Sequence, residues 1–120
     1  MSSVLIVDDH DTFRALARAV LEASGYTIAG EAADGESALR TAAEVDPDIV
    51  LLDIQLPGID GFAVAEQLAR LPRPPAVVLV STRDADAYRD RLSRAHARGF
   101  VSKSELTGAA VAALTGEGYP

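Results

Sequence analysis

At 120 residues, 48% of them hydrophobic, the chain has the length of one domain and the composition of a packed core rather than of a disordered segment. Its net charge of −7 works against nucleic-acid backbones and anionic membranes, which call for a basic surface, and without cysteine it has no disulfide, thiol nucleophile or zinc–thiolate site. No basic segment leads into an apolar stretch at the N-terminus, so no signal peptide is read there, and no apolar run approaches the roughly 20 residues that span a bilayer; a cytoplasmic protein is expected.

Strand and helix patterns alternate five times along the chain. Ser3–Val7 is a short, uncharged, β-branched run and reads as a strand buried on both faces. Asp11–Ser24 places Phe13, Leu16, Ala17, Val20 and Leu21 on one helical stripe, with Gly25 set to end the helix. Tyr26–Ala32 alternates only weakly, as an edge strand does. Asp34 is placed to cap a second helix, Gly35–Glu44, with Ala38, Leu39 and Ala42 inward.

Pro47 breaks the chain before a second buried run, Asp48–Leu52. The loop residues Leu56-Pro57-Gly58 precede a third helix, from about Gly61 to Arg70. Pro72, Pro74 and Pro75 stiffen the approach to Ala76–Val80. Ala85–Ala97 reads as a highly charged fourth helix anchored only by Tyr88, Leu92 and Ala95. Gly99–Ser102 is the last strand, and Ser104 is placed to cap a final helix, Glu105–Leu114. Residues 1–116 then form one domain, and 117–120 a frayed tail. This repetition implies an α/β doubly wound sheet of five parallel strands with helices on both faces; with an edge-like second strand, the flavodoxin-like order 2-1-3-4-5 follows.

Ligands of open α/β sheets bind beyond the carboxyl ends of the strands. In this chain those ends carry Asp8-Asp9, Asp53, Ser81 and Lys103. Singly, each has an ordinary use: an Asp after a strand caps a loop, an acidic pair caps a helix, and a lysine sits in an exposed loop. Together they gather three carboxylates whose mutual repulsion is relieved by a hard divalent cation, and Mg²⁺ prefers oxygen ligands. A carboxylate can accept a phosphoryl group, and an ammonium and a hydroxyl can hold its oxygens.

At these residues the chain closely resembles the receiver domains of two-component response regulators. The segments that carry the likeness are Val4-Leu5-Ile6-Val7-Asp8-Asp9-His10, Asp53-Ile54-Gln55-Leu56-Pro57-Gly58-Ile59-Asp60-Gly61, Val80-Ser81-Thr82 and Gly99-Phe100-Val101-Ser102-Lys103. Asp-Asp-His and the run from Gly99 to Leu106 are most similar to receivers of the NarL/LuxR type. The resemblance implies a CheY-like fold and Asp53 as the phosphoacceptor. It implies Mg²⁺ held by Asp9 directly, by Asp8 mainly through water, by Asp53, and by the main-chain carbonyl of Gln55. Ser81 and Lys103 are implied to contact the phosphoryl group, Ser81 and Phe100 to form the switch, and Pro57 and Gly61 to shape the loop after Asp53.

Several residues are read more plainly. His10 is expected to face solvent at the start of the first helix and His96 to be structural; Asp11, Asp60 and Asp84 are expected as caps or turn residues. Gln55 and Arg83 lie two residues beyond Asp53 and Ser81, with long polar side chains suited to shielding a phosphoryl group from water, though Arg83 could equally point into solvent.

A phosphatase with an Asp nucleophile would need an Asp-x-Asp-x-Thr/Val pattern after its first strand; Asp9-His10-Asp11-Thr12-Phe13 misses it. The resemblance implies instead a signalling switch, not a free-standing enzyme: it would take a phosphoryl group from a sensor histidine kinase or phosphotransfer protein and change the surface of its fourth helix, fifth strand and fifth helix. Homodimerisation on phosphorylation is compatible with this reading. The chain offers no recognition helix of its own, so no DNA binding by this chain alone is expected. Three settings stay open: a single-domain regulator, a phosphorelay intermediate, or the receiver of a longer DNA-binding regulator.

Overall fold

The computed structural model describes residues 2–83 and 85–116. Its elements are β1 (Ser3–Val7), α1 (Asp11–Ala23), β2 (Thr27–Ala32), α2 (Gly35–Val45), β3 (Ile49–Asp53), α3 (Gly61–Leu68), β4 (Ala76–Ser81), α4 (Arg89–Ser93), β5 (Gly99–Ser102) and α5 (Gly108–Thr115), with single 3-10 turns at Ala85–Tyr88 and Lys103–Glu105. The five strands form one parallel sheet in the order β2-β1-β3-β4-β5.

The three central strands are continuous apolar runs because both of their faces are covered. Alternate residues feed two cores. Leu5, Val7, Val50, Leu52 and Leu79 pack against Ala38, Ala42, Val64 and Leu68 of α2 and α3. Val4, Ile6, Ile49, Leu51 and Val80 pack against Ala17 and Leu21 of α1 and Val111 of α5. Fully burying each of the larger side chains contributes about 1.5–3 kcal/mol. Register is firm in the centre, with Leu5 opposite Val50 and Leu52 opposite Leu79, and that aligns the carboxyl ends on one rim.

The local signals act as expected in several places. Asp34 accepts a hydrogen bond from the Ser37 N–H and caps α2, and Asp60 does the same for α3 through Ala63. Gly25 takes a positive φ of 95° just past α1. β2 forms the edge, although Tyr26 precedes it and is buried.

The fourth helix departs from expectation. In place of one helix over Ala85–Ala97 there is a 3-10 turn, five residues of α4 and a run of turns and bends over 94–98. Its stripe is thin: α4 itself buries no side chain. The Asp90 carbonyl accepts from the Ser93 hydroxyl and the Arg94 guanidinium, side-chain bonds that compete with the helical ladder. His96 lies exposed in this irregular stretch.

The fifth helix starts later than expected. Residues after Ser102 make a 3-10 turn, Leu106 is extended and buried, and Thr107, not Ser104, caps α5 by accepting from Ala110 N–H. Burial of Leu106 against the α1 side sets that delay. Asp11 lies in the first turn of α1 and pairs with Arg14 instead of capping; His10 is the cap residue, without a side-chain bond. Asp84 and the tail at 117–120 lie outside the described residues. Among the described residues no helix is long and apolar enough to cross a membrane.

Candidate phosphoryl-acceptor site

Where β1 ends, Asp8 enters a tight loop. Its N–H donates to the Ala32 carbonyl at 3.0 Å, tying the loop to the end of β2. Its carboxylate is fully buried and accepts from the His10 N–H at 2.8 Å. Arg14 reaches back from α1, donates to the Asp8 carbonyl and bonds Glu31 at 3.1 Å; Arg18 holds the other Glu31 oxygen at 2.8 Å. The acidic loop is thus clamped from β2 and from α1.

Asp53 is the last residue of β3 and is 2% exposed. One carboxylate oxygen accepts from the Gln55 N–H at 3.1 Å, and the other faces Lys103 Nζ at 3.3 Å. Gly61 donates to the Ile54 carbonyl at 2.8 Å and lies so near that a Cβ would stand 2.4 Å from the Asp53 carbonyl oxygen. Only a residue without a side chain fits there, so Gly61 keeps the loop after Asp53 closed down on it.

Lys103, on the turn after β5, also lies 2.5 Å from Asp8 Oδ2, and its ammonium sits 4.6 Å above the Phe13 ring. Two buried carboxylates share one ammonium. Burial raises the Asp53 pKa, and the charge of Asp8 adds to this; the Gln55 N–H and Lys103 pull it back without cancelling the rise.

The structure brings Asp8, Asp9, His10 and Asp53 together, with one ligand atom from each within 4.8 Å of the others. Asp8 Oδ2 is buried and takes no directed hydrogen bond, only the ion pair with Lys103. A hard cation suits such a set of carboxylate oxygens. His10 is 66% exposed, as expected, yet its ring Nδ1 lies 3.1 Å from Asp9 and 3.2 Å from Asp8, beside the cluster rather than apart from it.

Ser81 ends β4 fully buried. Its hydroxyl accepts from the Arg83 N–H at 3.1 Å and bonds the Tyr88 hydroxyl at 3.2 Å. Phe100 is half-buried on β5, 6.4 Å from the Tyr88 ring, which also stands 5.9 Å from Phe62. The side chains of Gln55 and Arg83 are exposed, and among the described residues the Arg83 guanidinium makes no hydrogen bond or ion pair.

Two residues at this site stand out only in three dimensions. Tyr88 is legible in the sequence as a helix anchor; its hydroxyl, on an otherwise polar helix, is the one hint of a polar task. Arg14 is one charge among many along the helix until Asp8 and Glu31 are seen beside it.

The family model for the response regulator receiver domain matches residues 4–115. The chain is 42% identical over 120 residues to a Pseudomonas aeruginosa protein bearing the name of a transcriptional regulator, covering 97% of this chain and 58% of that one. It is 38% identical over 104 residues to the response regulator GacA of the same species, covering 86% of this chain and 49% of GacA. The signal receiver domain of NarL from Mycobacterium tuberculosis superposes with a TM-score of 0.82 at 34% identity, covering 97% of this chain and 98% of that one. The chain spans roughly half the length of the curated relatives it matches. With the sheet order and rim already in place, these likenesses show that the chain belongs to the response regulator receiver domain family.

Proposed function

We propose that Asp53 is the phosphoacceptor of this receiver domain. The observation that carries the reading is a buried carboxylate at the end of a central strand, bonded by Gln55 N–H and Lys103 and closed in by Gly61. An oxygen of Asp53 attacks the phosphorus of a donor phosphohistidine, the P–N bond breaks, and the imidazole keeps the electron pair. A sensor histidine kinase or phosphotransfer protein is the donor, in the cytoplasm, and this chain contributes both the transfer and the slow hydrolysis that reverses it. Such a transfer depends on positioning and charge neutralisation more than on acid–base work.

Asp9, Asp8, Asp53 and the Gln55 carbonyl are the residues to hold Mg²⁺, which supplies two positive charges beside the phosphoryl oxygens when bound. Lys103 pairs with a phosphoryl oxygen as a point charge, and Ser81 donates a hydrogen bond to another. Movement of Ser81 and Phe100 carries the change to α4, β5 and α5. The relatives' names and lengths support a DNA-binding output region following in the natural protein, with dimerisation of phosphorylated receivers bringing two such regions together. Whether the natural reading frame continues past Pro120 tests that part.

Intact-mass measurement after incubation with acetyl phosphate and Mg²⁺ should show one added phosphoryl group, absent in Asp53→Asn. An unchanged adduct in that variant would sink the assignment. Asp9→Ala should weaken Mg²⁺ binding strongly; wild-type affinity would displace the metal from this loop. Arg83→Ala and Gln55→Ala should each speed loss of the phosphoryl group by a factor of a few, the change that about 1 kcal/mol of barrier makes. Equal or slower decay in both would mean that neither side chain shields the site. The chain alone should give no sequence-selective gel shift at physiological salt.

A further inference from the structure

The Ser81 hydroxyl is already committed. It has one proton and two acceptor lone pairs. One lone pair takes the Arg83 N–H, and the remaining contact is with the Tyr88 hydroxyl, 3.2 Å away and buried. If the serine proton points at Tyr88, none remains for an oxygen on Asp53. Phe100, which has no hydroxyl, cannot exchange that bond.

Tyr88 occupies a place where such an exchange has consequences. It ends the 3-10 turn and leads directly into α4, which buries no side chain of its own. Its ring stands between Phe62 and Phe100. Phe62 in turn carries the Arg91 guanidinium 4.2 Å from its ring centre, and Arg91 bonds Asp60 at 2.7 Å. The hydroxyl of Ser81 is therefore two side chains away from an ion pair that bridges α3 and α4.

We infer that Tyr88 is a positioning residue that holds the Ser81 hydroxyl while Asp53 is unphosphorylated. Ser81 donates to Tyr88 in that state. When Asp53 carries a phosphoryl group, the same proton turns to a phosphoryl oxygen, Tyr88 loses its buried partner, and the 3-10 turn and α4 shift with it. No covalent bond changes; one hydrogen bond is traded for another with a charged acceptor, which is the stronger kind. Linkage makes the effect reciprocal: a bond that favours the unphosphorylated form must oppose phosphorylation. The inference rests on Asp53 being the acceptor.

The test uses beryllium fluoride with Mg²⁺ as a phosphoryl stand-in. Its binding is titrated to the wild type, Tyr88→Phe and Asp53→Asn, and the rings are followed by NMR of the chain labelled with ¹³C-tyrosine. The chain has three tyrosines, and Tyr88→Phe assigns one signal. Tyr88→Phe keeps the ring and should bind the probe about five-fold more tightly, the factor a typical net hydrogen bond makes in an equilibrium. In the wild type the Tyr88 signal should move on saturation. A merely structural Tyr88 gives equal or weaker binding in the variant, and an unmoved wild-type signal overturns the inference without any variant. If the wild type responds, Asp53→Asn does not and Tyr88→Phe matches the wild type, the role of Tyr88 alone is wrong. A wild type that does not bind the probe, or an Asp53→Asn that binds it equally, overturns the acceptor reading and this inference together.

Discussion

On the β1–β3 side of the sheet every residue from Ile49 to Asp53 is buried, and the acidic loop is held by the Ala32 carbonyl and the Arg14 guanidinium. On the far side, β5 buries only Val101 of its four residues, and α4 is five residues long with none buried. Asp53 thus sits on the firm half, while Ser81, Tyr88 and Phe100 border the lightly packed one. The division suits the two demands on a receiver. In-line transfer needs the carboxylate held in one geometry. Signalling needs an element with two arrangements close in free energy. A core packed as tightly as β3 has only one.

The largest expected effect breaks the firm half directly. Leu52→Ala, on β3, should lose about 2–5 kcal/mol in urea unfolding, whereas Leu92→Ala, half-buried on α4, should lose under about 1 kcal/mol. Equal losses would remove the comparison. Two glycines sharpen it next. A Cβ at Gly61 meets the Asp53 backbone, which cannot yield, so Gly61→Ala should lose about 1–3 kcal/mol and most phosphoryl uptake. A Cβ at Gly99 meets only the Leu114 side chain, and that change should stay within about 1 kcal/mol.

Asp60 joins the halves, capping α3 and pairing with Arg91 of α4. Asp60→Ala should lose about 1 kcal/mol, the usual worth of a cap. Burial pushes the Asp60 carboxyl upward, but Arg91 and the Ala63 N–H outweigh it and hold the pKa below its ordinary value. A lowered carboxyl stabilises the fold above its unfolded pKa, near 3.9, and that stability is lost as pH falls through the lower folded value. The difference between wild type and Asp60→Ala should therefore narrow in strong acid.

The smallest change is a gain. The raised pKa of Asp53 has the opposite sign: the stability it contributes is full below about pH 3.9 and is lost as pH rises through the folded value. Asp53→Asn should melt slightly above the wild type at pH 7, and the gain should disappear near pH 4. A loss at pH 7 would mean that Lys103 outweighs burial.

Much of this arrangement could be read along the chain. The apolar runs ahead of Asp8 and Asp53 have no polar face, so they suit strands covered on both sides, and the carboxylates at their ends then lie on one rim. Asp34 and Gly25 act through bonds and dihedrals within a few residues of themselves, which is why their positions were legible. That Asp53, Asp8, Asp9, Ser81 and Lys103 would lie at one rim was legible from their place at strand ends.

Other features came only with the folded molecule. A thin stripe of Tyr88, Leu92 and Ala95 looks helical in sequence, but its weak burial could not outcompete the side-chain bonds to Asp90, and α4 shrank. Ser104 was as good a cap as Thr107 until Leu106 was needed in the core. The bond between Ser81 and Tyr88, the reach of Arg14 to Asp8, and the sharing of Lys103 between Asp8 and Asp53 join different elements. Their geometry depends on how crossovers lay helices on a twisted sheet, and local propensity carries no record of that.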